Sequence, residues 1–150
     1  MTLYKHTQIG YLILFVALAV TVFFAWLYWN IPETEPRHIV AALMTVIVFI
    51  LVSFSTLTVT IDEQFVQIKF GYGIFRKKFS IENIASAKAV KNHWYYGWGI
   101  RIWFWPYMWI YNVSGFDAVE IVMRDRKVYR IGTDVPSELE TALQRAIRTY

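Results

Sequence analysis

Two runs without a charged residue, Ile9 to Trp29 and Ile39 to Leu57, constrain this chain more than anything else in it. They hold 21 and 19 residues. At about 1.5 Å per helical residue, each is long enough to cross a hydrocarbon layer roughly 30 Å thick. A basic start at Lys5 and the small residues of Ala17-Leu18-Ala19 also fit a cleaved secretory leader. A cleavage region turns polar, however, whereas Val20 to Trp29 stays apolar and ends on Trp26, Tyr28 and Trp29, residues suited to a membrane interface. The first run therefore reads as a retained span.

Between the runs, residues 30–38 carry Pro32 and Pro36 among alternating charges, which suits only a tight reversal. The expected unit is a membrane hairpin over residues 1–57, with spans at about 9–29 and 39–57, followed by a second domain over residues 58–150. Small residues at Gly10, Ala17, Ala41 and Ala42 allow the helices to approach, without a Gly-x-x-x-Gly pattern. Lys5 precedes the first span, Arg37 stands alone in the loop, and Lys69, Arg76, Lys77 and Lys78 follow the second. By the excess of cations on the inner side, both termini and the second domain are expected in the cytoplasm. His6 and His38 then fall at span ends on opposite faces.

Beyond Leu57 the period becomes two. Residues 57–61, 66–70, 75–79, 84–91, 118–123 and 127–131 alternate as half-buried strands do, with turns at Asp62-Glu63-Gln64, Gly71-Tyr72-Gly73 and Arg124-Asp125-Arg126. A helical period returns over about 135–149, where Leu139, Leu143, Ala146 and Ile147 share a face. Asp134 is placed to cap it, Pro136 suits its first turn, and Arg145 and Arg148 suit its last. The fold class is a membrane α hairpin joined to an α+β domain.

The stretch from Trp94 to Tyr111 fits neither period. Ten of its eighteen residues are aromatic, and Gly97, Gly99 and Pro106 interrupt it. Trp and Tyr join a large apolar ring to a polar tip, which suits a headgroup layer or a partner surface. Three readings stay open: a loop covering the core, a surface dipping into the bilayer, or a patch for another chain. The exposed candidates are Trp103, Phe104, Trp105 and Trp109. Arg76, Lys77 and Lys78 are the electrostatic candidates, since a basic strand near a membrane gains about 1 kcal/mol per charge from anionic lipid. Cations on an edge strand also deter unwanted pairing, and that reading is equally open.

No catalytic constellation emerges. Without cysteine there is no disulfide, thiolate metal site or cysteine nucleophile. His6, His38 and His93 lack metal-ligand spacing, and no nucleophile stands beside a base. No cofactor, metal or nucleic-acid partner is expected, because the basic residues form no continuous groove in sequence. Were the chain an enzyme, polar groups would converge around His93, Arg101, Asp117 or Glu120.

The segment from His93 through Trp94, Tyr95, Tyr96, Gly97, Trp98 and Gly99 to Arg101 carries a resemblance. So do Tyr111, Asn112 and Gly115, then Ala118-Val119-Glu120 and Arg130 to Asp134. Residues 57–150 resemble small bacterial membrane proteins with a pleckstrin-homology-like (PH-like) domain. The resemblance implies a bent antiparallel sheet of about seven strands, a partly open barrel capped by one C-terminal helix. It implies an inner-membrane location and supplies no reaction; Ile102 to Trp109 is more aromatic than the family pattern. The expected function is a non-enzymatic, membrane-anchored module that contacts lipid headgroups or a partner protein. The alternative is a structural or accessory subunit of a membrane assembly, including a homo-oligomer.

Overall fold

The first eight described residues already depart from the expected domain boundary. The computed structural model describes residues 2–32 and 36–149, and Thr2–Ile9 forms a strand, β1, not the lead-in to a membrane hairpin. It pairs antiparallel with β2 (Thr56–Asp62) from Thr2↔Asp62 to Ile9↔Thr56. The second domain thus reaches back across the apolar helices to take its edge strand from residues 2–9. His6 accordingly lies in this sheet, 2.5 Å from a carboxylate oxygen of Asp134, and not at a span end.

Two helices separate β1 from β2. The first, α1 (Tyr11–Asn30), is long and apolar enough to cross a membrane by length and composition. It is apolar around its whole circumference, and Phe15, Val22 and Trp26 are exposed on it. The second, α2 (Arg37–Ser53), is apolar but has 17 residues, about 25 Å of helix. It stops short of the expected residue 57 because Phe54 and Ser55 close its end on the Leu51 and Val52 carbonyls. Leu57, expected inside the second span, is instead a buried core residue of β2. The reversal predicted over residues 30–38 includes 33–35, which lie outside the described residues.

The rest of the chain is α+β. β3 (Phe65–Phe70) and β4 (Arg76–Ser80) complete a four-stranded sheet ordered β1-β2-β3-β4. A second sheet is built from β5 (Ile84–Lys91), β6 (Gly99–Phe104), β7 (Tyr107–Asn112), β8 (Asp117–Met123) and β9 (Val128–Gly132). Its order is β5-β8-β9-β7-β6, with β7 and β9 parallel and the other pairs antiparallel. The sheets do not close on one another, and they hold four and five strands where about seven in all were expected. Three strands lie outside the alternating segments: β1, and the hairpin strands β6 and β7 from the aromatic segment.

Between the sheets lies one apolar core, built by the inward rows Leu57, Val59 and Ile61 of β2 and Val66, Ile68 and Phe70 of β3, facing Val119, Ile121 and Ile131. One C-terminal helix, α3 (Pro136–Arg148), covers it with Leu139, Leu143 and Ala146. Pro136 sits in its first turn, and Arg145 and Arg148 in its last, as the pattern predicts. Asp134 is not its cap: Val135 holds that position, the Thr133 hydroxyl accepts the Val135 amide, and Asp134 is engaged by His6.

Candidate functional site

Strand alternation divides the aromatic segment into two faces. Along the β6–β7 hairpin, the pairs Ile100↔Tyr111, Ile102↔Trp109 and Phe104↔Tyr107 put one aromatic stripe on the face turned toward the first sheet. The pairs Arg101↔Ile110 and Trp103↔Met108 occupy the other face. There Met108 and Ile110 join Tyr96 in a small satellite core, with Trp103 and Val128 packed against it. Trp103 is thereby half-buried and its indole N–H donates to the Trp105 carbonyl at 2.9 Å, which fixes the hairpin tip. Trp109 is half-buried against the main core. Of the four aromatic candidates, only Phe104 and Trp105 are exposed, at 78% and 90%. Tyr107, outside the sequence candidates, is exposed beside them.

The stripe forms one wall of a cleft of about 320 Å³ at the open seam between the sheets. Tyr107, Trp109 and Tyr111 line it on one side, and Phe75 of the preceding turn with Arg76 and Lys77 of the edge strand line the other. Lys77, which shares the inward row with Ile68, therefore meets the aromatic segment here, whereas Arg76 stands at the rim of the cleft and by strand alternation turns to the outer face beside Lys69. Lys78 lies over the Phe65 ring at 5.5 Å on the outer side of the sheet. The cleft joins an apolar floor to a basic edge, which is the chemistry of an amphiphile with an anionic head.

Inside the cleft, burial first and then neighbouring Tyr129 push the Tyr111 phenol up to about 12. An unfolded tyrosine ionises near 10, so between pH 10 and 12 the unfolded chain loses a proton that the folded chain keeps. The stabilisation, below about 3 kcal/mol, is complete below pH 10 and disappears as pH rises through 12. Tyr111→Phe is expected to flatten this alkaline loss. Thermal melts of both proteins from pH 9 to 12 read it, and an equal fall in the variant would assign the loss elsewhere.

The remaining motif residues shape the hairpin's base. Gly97 and Gly99 take positive φ of 69° and 93°, as turn residues between the Trp94–Tyr96 turn and β6. Trp94 and Tyr95 are exposed, Tyr96 is buried, and Trp98 rests near Phe116. Arg101 is exposed and donates to the Trp98 carbonyl at 3.2 Å, so it clamps the turn. Asn112 is buried, donates to the Gly115 carbonyl and accepts the Ser114 amide, while Gly115 has φ of 66°. That loop abuts the start of α1, because Gln8 donates to the Ser114 carbonyl and a Cβ on Gly10 would fall 2.8 Å from the Val113 carbonyl oxygen.

His93, Arg101, Asp117 and Glu120 do not converge on the cleft. His93 stacks on Tyr95, and Glu120 accepts Arg130 Nε at 2.9 Å across β8 and β9. Arg130 also reaches the Asn92 side chain and the face of Tyr96, so this pair buttresses the sheet. Among the described residues no three His, Asp or Glu side chains group as metal ligands. No family model, curated protein or solved structure matches the chain.

Proposed function

We propose that the chain is a non-enzymatic, two-pass binding module of a bacterial inner membrane, with a PH-like domain held against the cytoplasmic leaflet to contact lipid headgroups or a partner protein. One observation carries the reading. β1 and β2 stay paired up to Ile9↔Thr56, and only Gly10 on one side and Phe54 with Ser55 on the other separate them from the helices. The apolar hairpin thus takes the place of a β-turn, and the domain has no linker on which to leave the membrane.

α1 has the length of a span, and α2 reaches one through local thinning and its interfacial ends. Lys5, Lys69 and Arg76 all belong to the sheet that receives the helices, whereas Arg37 begins α2 at the other end of the hairpin. This charge asymmetry supports a cytoplasmic domain. The open two-sheet core with one covering helix supports the PH-like reading. The exposed Phe104, Trp105 and Tyr107 favour the second reading, a subunit docked to another membrane protein.

Cysteine labelling tests the topology, because the native chain has none. With single cysteines at Pro36→Cys and Ser137→Cys, an impermeant maleimide is expected to label the first in spheroplasts and the second only after lysis. Labelling of both on one side, or recovery of the protein in the soluble fraction, would remove the two-pass anchor. Serine at Phe104, Trp105 and Tyr107 in the full chain is then expected to reduce copurified protein at least tenfold if the tip docks a partner. Unchanged copurification, with the fold intact, would leave the tip out of the function.

A further inference from the structure

Two grooves of opposite chemistry meet at Tyr72, in the turn between β3 and β4. The first, about 490 Å³, runs between α1 and α2, is lined by Phe24, Met44, Val48 and Val52, and ends on Tyr72. The second, about 430 Å³, lies on the outer face of the four-stranded sheet and begins at the same side chain. Its walls are polar: the register aligns Thr7, Thr58, Lys69 and Arg76 in one row and Lys5, Thr60 and Gln67 in the next. Thr7 and Thr58 share a hydrogen bond of 2.9 Å, which leaves hydroxyl groups at the groove floor.

Lys5, Lys69 and Arg76 have no ion-pair partner among the described residues. The carboxylate on this face, Asp62, stands at the far end of β2, where it accepts the Gln64 and Phe65 amides. Lys69 is laid along the turn, since a Cβ on Gly73 would fall 2.6 Å from its Cε. Tyr72 stacks on Phe49 of α2 with centroids 5.6 Å apart, so the turn reaches back beside the apolar helix. Ile74 next to it is exposed. An apolar turn at that depth, collared by unpaired cations, fits the boundary between acyl chains and headgroups.

We infer that these joined grooves are a binding site for one anionic glycerophospholipid of the leaflet next to the domain. An acyl chain occupies the interhelical groove, Tyr72 packs at the glycerol level, and the headgroup phosphate is held by Lys69, Arg76 and Lys5 over the threonine hydroxyls. The site lies on the opposite face of the four-stranded sheet from the seam cleft, with Arg76 at the rim of both, and rests on the reading that the helices lie in a bilayer. Lipid held there would fix the domain's tilt on the membrane, because its two ends grip different elements.

The test uses the full chain in nanodiscs of phosphatidylcholine and phosphatidylglycerol at three to one, with retained lipid read by native mass spectrometry. Wild type is expected to retain phosphatidylglycerol selectively. Lys5→Gln/Lys69→Gln/Arg76→Gln is expected to lose that preference by about a hundredfold, from three charges at the membrane surface. The equal-charge control Lys88→Gln/Lys91→Gln/Arg124→Gln is expected to keep it, and Tyr72→Ala to weaken it without changing charge. Equal retention by wild type and the groove variant, or an equal loss in the control, would overturn the site. Failure of wild type to enter nanodiscs would overturn the anchor as well, whereas incorporation without selectivity overturns the lipid site alone. If the triple variant melts early, Lys69→Gln alone must still lower selectivity, or the site is abandoned.

Discussion

Replacing Gly71 with alanine is expected to destabilise the protein by about 3 kcal/mol. Two costs combine. The backbone there has φ of +43°, a region that disfavours a Cβ by about 1–2 kcal/mol. The added Cβ would also overlap the Ser53 carbonyl, which belongs to the last residue of α2 and cannot rotate aside. Overpacking against a fixed group typically costs about 1–3 kcal/mol. Gly71 donates to the Thr56 carbonyl at 2.9 Å, so a shift of this turn pulls on the first residue of β2. Thermal unfolding in detergent measures the effect. Gly115→Ala separates the two costs, since Gly115 has φ of +66° but open space around it, and should lose only about 1 kcal/mol. Equal losses at the two glycines would show that contact with α2 is unimportant.

The same turn shows what a sequence can and cannot announce. Gly71-Tyr72-Gly73 reads plainly as a reversal between two alternating strands, and the structure has it there. That Tyr72 reaches the side of α2 is invisible in sequence, because it depends on how the end of a helix and the end of a strand are brought together. The strands with one clean apolar row were legible for the converse reason. Val66, Ile68 and Phe70 alternate with Gln67 and Lys69, so local pattern and tertiary burial point the same way. In β6 and β7 both faces are apolar, one against the main core and one against Tyr96, and alternation carries no contrast there. The segment therefore reads as irregular in sequence, and of the three readings open for it, Trp103 and Trp109 follow the one in which it covers the core. The basic candidates separated for a simpler reason: consecutive residues on a strand face opposite ways, so Lys77 turns to the cleft while Arg76 and Lys78 turn outward.

Deleting residues 2–9 is expected to cost on the order of 4 kcal/mol and to lower the thermal midpoint by about 10 °C or more. This segment was the part of the domain least visible in sequence. Its inward row is Tyr4, His6 and Gln8, none of them aliphatic, and its outward row is Leu3, Lys5 and Thr7. A strand with polar groups on its buried side gives no apolar alternation, and its partner lies across two helices. Tertiary contacts supply what the pattern lacks. Tyr4 packs on the core, Gln8 is 5% exposed and ties β1 to the Ser114 carbonyl, and Gly10 donates to Ser55 at 2.6 Å. Without β1, the β2 backbone edge is open and the polar groove loses Lys5 and Thr7. The deletion should leave α1 and α2 in the membrane while the domain becomes sensitive to protease. Limited proteolysis of membranes carrying the two proteins, followed beside thermal melts in detergent, reads both consequences. An unchanged midpoint and cleavage pattern would show that β2 can serve as the sheet edge, and that the domain is complete from residue 56 onward.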